Sequence, residues 1–216
     1  FSLSINSNTE LIFGNNIFRN MKANGEKSYF GLIDLNNKNE FILDNISFID
    51  NKCNTIYGGG TGLLVLNVDK MKFIDCSFIR NSALQIQNSE SQRPTSSNSA
   101  YYNGDGGYSS ELYNVDIEFT SCFFQDNQAY RHGGAIALQT LKTVVINSCV
   151  FENNQANSLV NSKQLLFSNY YELKNEGRGG AIYLNPSFSH PDQPSEDSNR
   201  YMTSVKIENC KFQGNS

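Results

Sequence analysis

One six-residue pattern recurs through the chain and largely decides what it can fold into. It places isoleucine or cysteine first, phenylalanine third and asparagine sixth. The copies are Ile46, Phe48 and Asn51; Cys76, Phe78 and Asn81; Cys122, Phe124 and Asn127; Cys149, Phe151 and Asn154; and Cys210, Phe212 and Asn215. A degenerate copy reads Asn15, Ile17 and Asn20. Self-similarity at a period of a few tens of residues marks a solenoid, in which each unit buries its core against its neighbours.

A glycine-rich block precedes most copies. Gly133-Gly134-Ala135-Ile136 and Gly179-Gly180-Ala181-Ile182 are the clearest, with weaker versions at Gly31, Thr61-Gly62 and Gly106-Gly107. Gly134 lies fifteen residues before Cys149, and the same interval separates Gly107 from Cys122, Thr61 from Cys76 and Gly31 from Ile46. Between the two blocks sits an apolar piece with period-two alternation, as in Val144 and Ile146 or Ile117 and Phe119. Such alternation marks a strand with one buried face. Three short strands per repeat, too closely spaced for helices, predict an all-β parallel β-helix solenoid of about six coils. Helix signals are poor throughout.

Successive coils of such a solenoid lie about 4.8 Å apart, so like residues sit over like. Ile17, Phe48, Phe78, Phe124, Phe151 and Phe212 are expected to form one inward stack, which flat rings tolerate well. Asn20, Asn51, Asn81, Asn127, Asn154 and Asn215 are expected to form a corner column, their amides bonding to one another or to free backbone groups.

At these residues the chain resembles the chlamydial polymorphic outer-membrane proteins. That family is defined by repeated Gly-Gly-Ala-Ile and Phe-x-x-Asn tetrapeptides. Gly133 to Ile136 and Gly179 to Ile182 match the first; the five Phe/Asn pairs from Phe48/Asn51 to Phe212/Asn215 match the second. The resemblance covers nearly the whole chain outside its insertions. It implies a right-handed, pectin-lyase-like β-helix carried on a cell surface.

The 216 residues form one expected domain, residues 1–216, with enough length for a continuous core. The chain begins at Phe1 and stops just where another glycine block is due, so it reads as a segment of a longer polypeptide. Net charge is −4 with charges scattered, and no basic run is interleaved with aromatics, which argues against nucleic-acid binding. No apolar run reaches the eighteen residues that a membrane-spanning helix needs.

Cys76, Cys122, Cys149 and Cys210 share one repeat position, which Ile46 also occupies, so they read as an inward column of small apolar thiols. The alternative is a disulfide between adjacent coils, for instance Cys122–Cys149. Stacked Cβ atoms at about 4.8 Å are wider than the preferred separation of about 3.8 Å, so that bond requires local distortion. Cys53 lies off this column. No Cys-x-x-Cys spacing occurs and the histidines are His132 and His190, so no metal site and no cofactor are expected. Asn45-Ile46-Ser47 is a glycosylation sequon at a turn.

Insertions break the repeat at about residues 83–104, 157–177 and 186–200. Solenoid insertions map to surface loops and often carry binding. Tyr101, Tyr102, Tyr170, Tyr171 and Tyr183 are the candidate contact residues, since tyrosine-rich loops supply adaptable recognition groups. No catalytic residues are assigned. Asp50, Arg80, Asp126, Asn153 and Gly214 form an outward corner column that could hold glycan-cleaving chemistry only if carboxylates cluster there. Asp105 alone lacks the acidic loop pattern of a calcium site. The expected function is a non-enzymatic extracellular or cell-surface rod, structural or adhesive. Its partners would be a protein or glycan surface ligand, or sister chains, bound through loops or coil ends. The competing readings are a carbohydrate-active β-helix enzyme and an architectural subunit of an extracellular polymer.

Overall fold

In the computed structural model the backbone winds into stacked coils whose strands all pair in parallel. The structure describes residues 2–4, 11–25, 31–55, 63–85, 108–111, 115–129, 133–139, 142–156, 179–185 and 204–216.

Four sheets run along the solenoid. Face A carries β1 (Ser2–Ser4), β5 (Gly31–Asp44), β8 (Leu63–Ile74), β12 (Asp116–Thr120), β16 (Thr143–Asn147) and β20 (Ser204–Glu208), with β2 (Leu11–Gly14) also on β5. Face B is the repeat pattern itself: β3 (Ile17–Arg19), β6 (Ser47–Ile49), β9 (Ser77–Ile79), β13 (Phe123–Gln125), β17 (Val150–Glu152) and β21 (Lys211–Gln213). Face C consists of β4 (Lys22–Gly25), β7 (Lys52–Thr55), β10 (Ser82–Gln85), β14 (Gln128–Ala129) and β18 (Gln155–Ala156). Face D follows the glycine block: β11 (Tyr108–Glu111), β15 (Ile136–Gln139) and β19 (Ile182–Asn185).

The expected all-β solenoid is therefore present, with one strand more per coil than the sequence suggests. Face C was missed because its strands are short and read as Gln-Ala or Lys-Cys, without an apolar alternation. Its residues still alternate: Gln128 is exposed while Ala129 is buried, and Ala83, Ala129 and Ala156 share one inward column. Ala83 to Gln85, the first residues of the expected insertion at about 83–104, belong to β10, and residues 86–107 lie outside the described residues.

Two left-handed corners explain how one repeat turns between faces. Corner one holds Asn15, Asn45, Asp75, Ser121, Ser148 and Asn209; corner two holds Asn20, Asp50, Arg80, Asp126, Asn153 and Gly214, all with φ between 52° and 64°. A residue at positive φ resets the alternation of the strand. Around corner one Phe73 points in, Ile74 and Asp75 face out, and Cys76 points in again. Corner two repeats the device with Phe78 in, Ile79 and Arg80 out, and Asn81 in. Side chains other than Gly, Asn and Asp sit in this region at a cost of roughly 1 kcal/mol or more, so Arg80, Ser121 and Ser148 are held there by the coils on either side.

The core is one continuous cluster of stacked columns. Ring centroids of Phe78, Phe124, Phe151 and Phe212 succeed one another at 4.8 Å with planes within 3°. Phe48 joins below at 5.1 Å and Phe18 below that at 5.2 Å. A second column, Phe73 on Phe119 at 4.6 Å, meets the first edge-on, with Phe119 at 69° to Phe124.

The first coil corrects the sequence alignment by one residue. Phe18, not Ile17, pairs with Phe48, and Ile17 pairs with Ser47 and is 68% exposed. Hence Asn20 is a corner residue and Met21 stands where the other coils carry the buried asparagine. The Ile17 register keeps an asparagine sixth and the Phe18 register keeps a phenylalanine third, and the corner geometry decides for the second.

The constant interval of fifteen does not survive as register either. Tyr108 pairs with Ile136, which places β11 one residue off the alignment of Gly107 with Gly134. Gly31 pairs with Leu63 rather than Thr61, and an irregularity between Asp34 and Lys38 restores the register further along. Gly134 is demanded by packing. A Cβ there would collide with the backbone carbonyl oxygen of Gly180 and the backbone of Gln155.

Candidate functional site

The corner between faces B and C gathers most of the polar structure. Asn51, Asn81, Asn127 and Asn154 are fully buried just inside it. Each holds the coil before it by two bonds. The Asn127 Oδ1 accepts from the Asn81 backbone N–H at 3.0 Å, and its Nδ2 donates to the Phe78 carbonyl at 2.8 Å. The same pair recurs at Asn51 (3.0 and 3.0 Å), Asn81 (3.1 and 2.9 Å), Asn154 (3.1 and 3.0 Å) and Asn215 (3.0 and 2.9 Å). Amide-to-amide bonds continue upward, Asn127 Nδ2 to Asn154 Oδ1 at 2.9 Å and Asn154 Nδ2 to Asn215 Oδ1 at 2.9 Å. Buried backbone groups at a tight corner have no ladder partner of their own, and the asparagine supplies one of each kind.

The outward side of this corner carries charge. Arg80 donates from Nε to Asp50 Oδ1 at 2.6 Å and from Nη2 to Oδ2 at 3.0 Å, a fork on one carboxylate. This bonding holds the Asp50 carboxyl below its ordinary range, with Arg19 and Lys52 adding to the effect. An anion so held is a weak proton acceptor, which makes Asp50 a poor general base. Asp126 stands next along the corner column. Elsewhere the outward charges pair across strands: Lys72 with Glu40 at 2.6 Å, and Lys211 with Glu152 at 3.0 Å. Lys70 lies between Glu40 and Glu118, at 3.9 and 3.7 Å.

Cys76, Cys122, Cys149 and Cys210 line the inward side of corner one as four free thiols. The alternative Cys122–Cys149 disulfide is not formed. Each thiol instead donates to backbone carbonyls, Cys122 to Phe73 and Thr120 at 3.4 Å and Cys149 to Asn147 at 3.3 Å. In-register stacking keeps their Cβ vectors parallel, which opposes the closer approach a disulfide needs. Burial pushes the Cys122 and Cys210 thiols up from their ordinary value.

Asn45 is exposed at corner one with φ 52°, and its Nδ2 donates to the Asn15 Oδ1 at 2.9 Å. Within its sequon Ile46 is buried and Ser47 opens β6. Tyr183 lies half-buried in β19, in register with Ala137, rather than in a loop. Tyr101, Tyr102, Tyr170 and Tyr171 fall outside the described residues, as do Asp105, His132 and His190. Among the described residues no group of three or more His, Cys, Asp or Glu side chains is placed to hold a metal ion. What the sequence missed is the gathering of Arg19, Lys22, Lys52 and Arg80 around corner two. Their spacing in the chain gives no hint of it; only the register of β3, β4, β6 and β7 brings them together.

Comparison with known proteins gives one match. Residues 2–175 fit the family model described as a right handed beta helix region. No curated protein and no solved structure matches the chain.

Proposed function

Because the chain belongs to the right-handed β-helix family, we propose that it serves as a non-enzymatic structural or adhesive rod on a cell surface or outside the cell. The observation that carries this reading is how the recurrent side chains are used. The stacked phenylalanines bury one coil on the next, the asparagines satisfy the backbone of the coil before, and the inward thiols bond to carbonyls. The features the sequence repeats are those that extend a rod. Asp50, the corner carboxylate bonded to an arginine, is tied down as an ion pair. The tetrapeptides shared with the chlamydial polymorphic outer-membrane proteins favour a surface location, and the insertion loops are its candidate contacts with a protein, glycan or sister-chain partner.

The test is turnover. Purified protein is expected to leave uronate-containing and neutral glycans intact with or without calcium. Robust cleavage that is lost on Asp126→Asn or Asp50→Asn would replace this reading with that of a carbohydrate-active enzyme. Glycosylation is tested separately. Expressed through a eukaryotic secretory route, the chain should carry a glycan at Asn45, seen as a mass shift reversed by a peptide:N-glycan amidase. Secreted protein with an unmodified Asn45 would remove the glycoprotein part of the proposal.

A further inference from the structure

Among the described residues the lysines and arginines divide unevenly between paired and unpaired. Lys70, Lys72, Arg80, Lys142, Lys206 and Lys211 each face a carboxylate. Arg19, Lys22 and Lys52 are exposed and form no ion pair among the described residues. The fold places these three side by side.

Arg19 closes β3, Lys22 opens β4 across corner two, and Lys52 opens β7 directly above Lys22. In-register Lys22 and Lys52 are one strand spacing apart, about 4.8 Å at Cα. Like charges directly opposite in a sheet repel, so nothing in the rod itself rewards this pairing. Asp50 lies within electrostatic reach of Arg19, Lys52 and Arg80, and Arg80 already bonds both of its oxygens. Three cations therefore surround one committed carboxylate, with Lys22 beside Lys52, in a chain whose net charge is −4. The strip runs along the solenoid axis over three coils, or about 10 Å.

We propose that this strip binds a linear sulfated polysaccharide laid along the axis of the rod. Exposed cations on outward strand positions offer charge at regular intervals without a shaped pocket. Such a surface selects by charge density along a line, which among glycans is highest in the sulfated ones. Single-stranded nucleic acid binding draws on aromatic stacking platforms, and the described side chains of the strip include no exposed ring. A strip of this kind gives affinity that falls as salt is added.

A fluorescent heparin oligosaccharide is the probe, followed by anisotropy at low ionic strength with the whole chain. Binding should saturate, weaken with added salt, and drop by about tenfold in the double variant Lys22→Gln/Lys52→Gln. Both side chains point to solvent, and circular dichroism checks that the variant stays folded. The double variant Lys142→Gln/Lys206→Gln removes the same charge elsewhere and should bind as the parent does. No saturable binding, equal loss in both double variants, or tighter binding to an oligonucleotide or to phosphatidylserine vesicles would each overturn the proposal. None of these outcomes touches the rod reading, whose test is turnover.

Discussion

A buried asparagine is the smallest unit on which the rod depends. Asn127→Ala removes the acceptor for the Asn81 N–H and the donor for the Phe78 carbonyl, leaving both buried. Each orphaned group costs about 1–3 kcal/mol, so the variant should lose roughly 2–5 kcal/mol, read as a lower urea midpoint. An unchanged midpoint would show that water or a shifted corner replaces the amide. The Asp50–Arg80 fork is the contrasting case, being exposed. Bonding to Arg80 lowers the Asp50 pKa in the folded chain. Its stabilisation is therefore present above the unfolded value of about 3.9 and is lost as pH falls through the lower folded value. Asp50→Asn should lower the melting temperature slightly at neutral pH and leave it unchanged at strongly acid pH. A difference that grows on acidification would contradict the assignment. The two columns of phenylalanine and asparagine were legible in the sequence, because each asks for one residue type at one place. The positive φ of Arg80 and Ser121 was not, since neither residue type favours it.

At the scale of strands, what a face contributes depends on whether its coil has neighbours on both sides. Phe124 is fully buried between Phe78 and Phe151, whereas Phe212 is 49% exposed. Phe124→Ala should cost about 3–5 kcal/mol and Phe212→Ala clearly less, measured as urea midpoints on the two variants. Equal losses would mean that the column does not transmit its packing as the stack suggests. Faces A and B could be read from alternation, and the glycine block announced face D. Face C escaped because β14 and β18 are two residues long and rely on alanine, whose small side chain gives little periodic signal. The register of β11 escaped as well: Tyr108 pairs with Ile136, one residue off the spacing that the glycine pairs suggest. The same absence of pattern hid the cationic strip, whose members come from β3, β4 and β7.

For the molecule as a whole, the core is a single column set with no break from Phe41 to Phe151. The thiols report on its closure. Cys76, Cys122 and Cys149 are fully buried and Cys210 is partly exposed, and burial raises the Cys122 pKa strongly. Iodoacetamide added to the native protein should therefore modify Cys210 before Cys76, Cys122 and Cys149, which react only on unfolding, as peptide mass spectrometry would show. Rapid native labelling of Cys122 would indicate a core that opens at corner one. The parallel pairing has a mechanical side as well. Bonds between coils run along the axis, so tension applied to the two termini loads them end-on and one layer at a time. Stretched in an optical trap, the rod should give way in successive small yields rather than one rupture. Each yield between Phe124 and Phe151 frees a contour of about 90 Å, from the 27 residues that separate them.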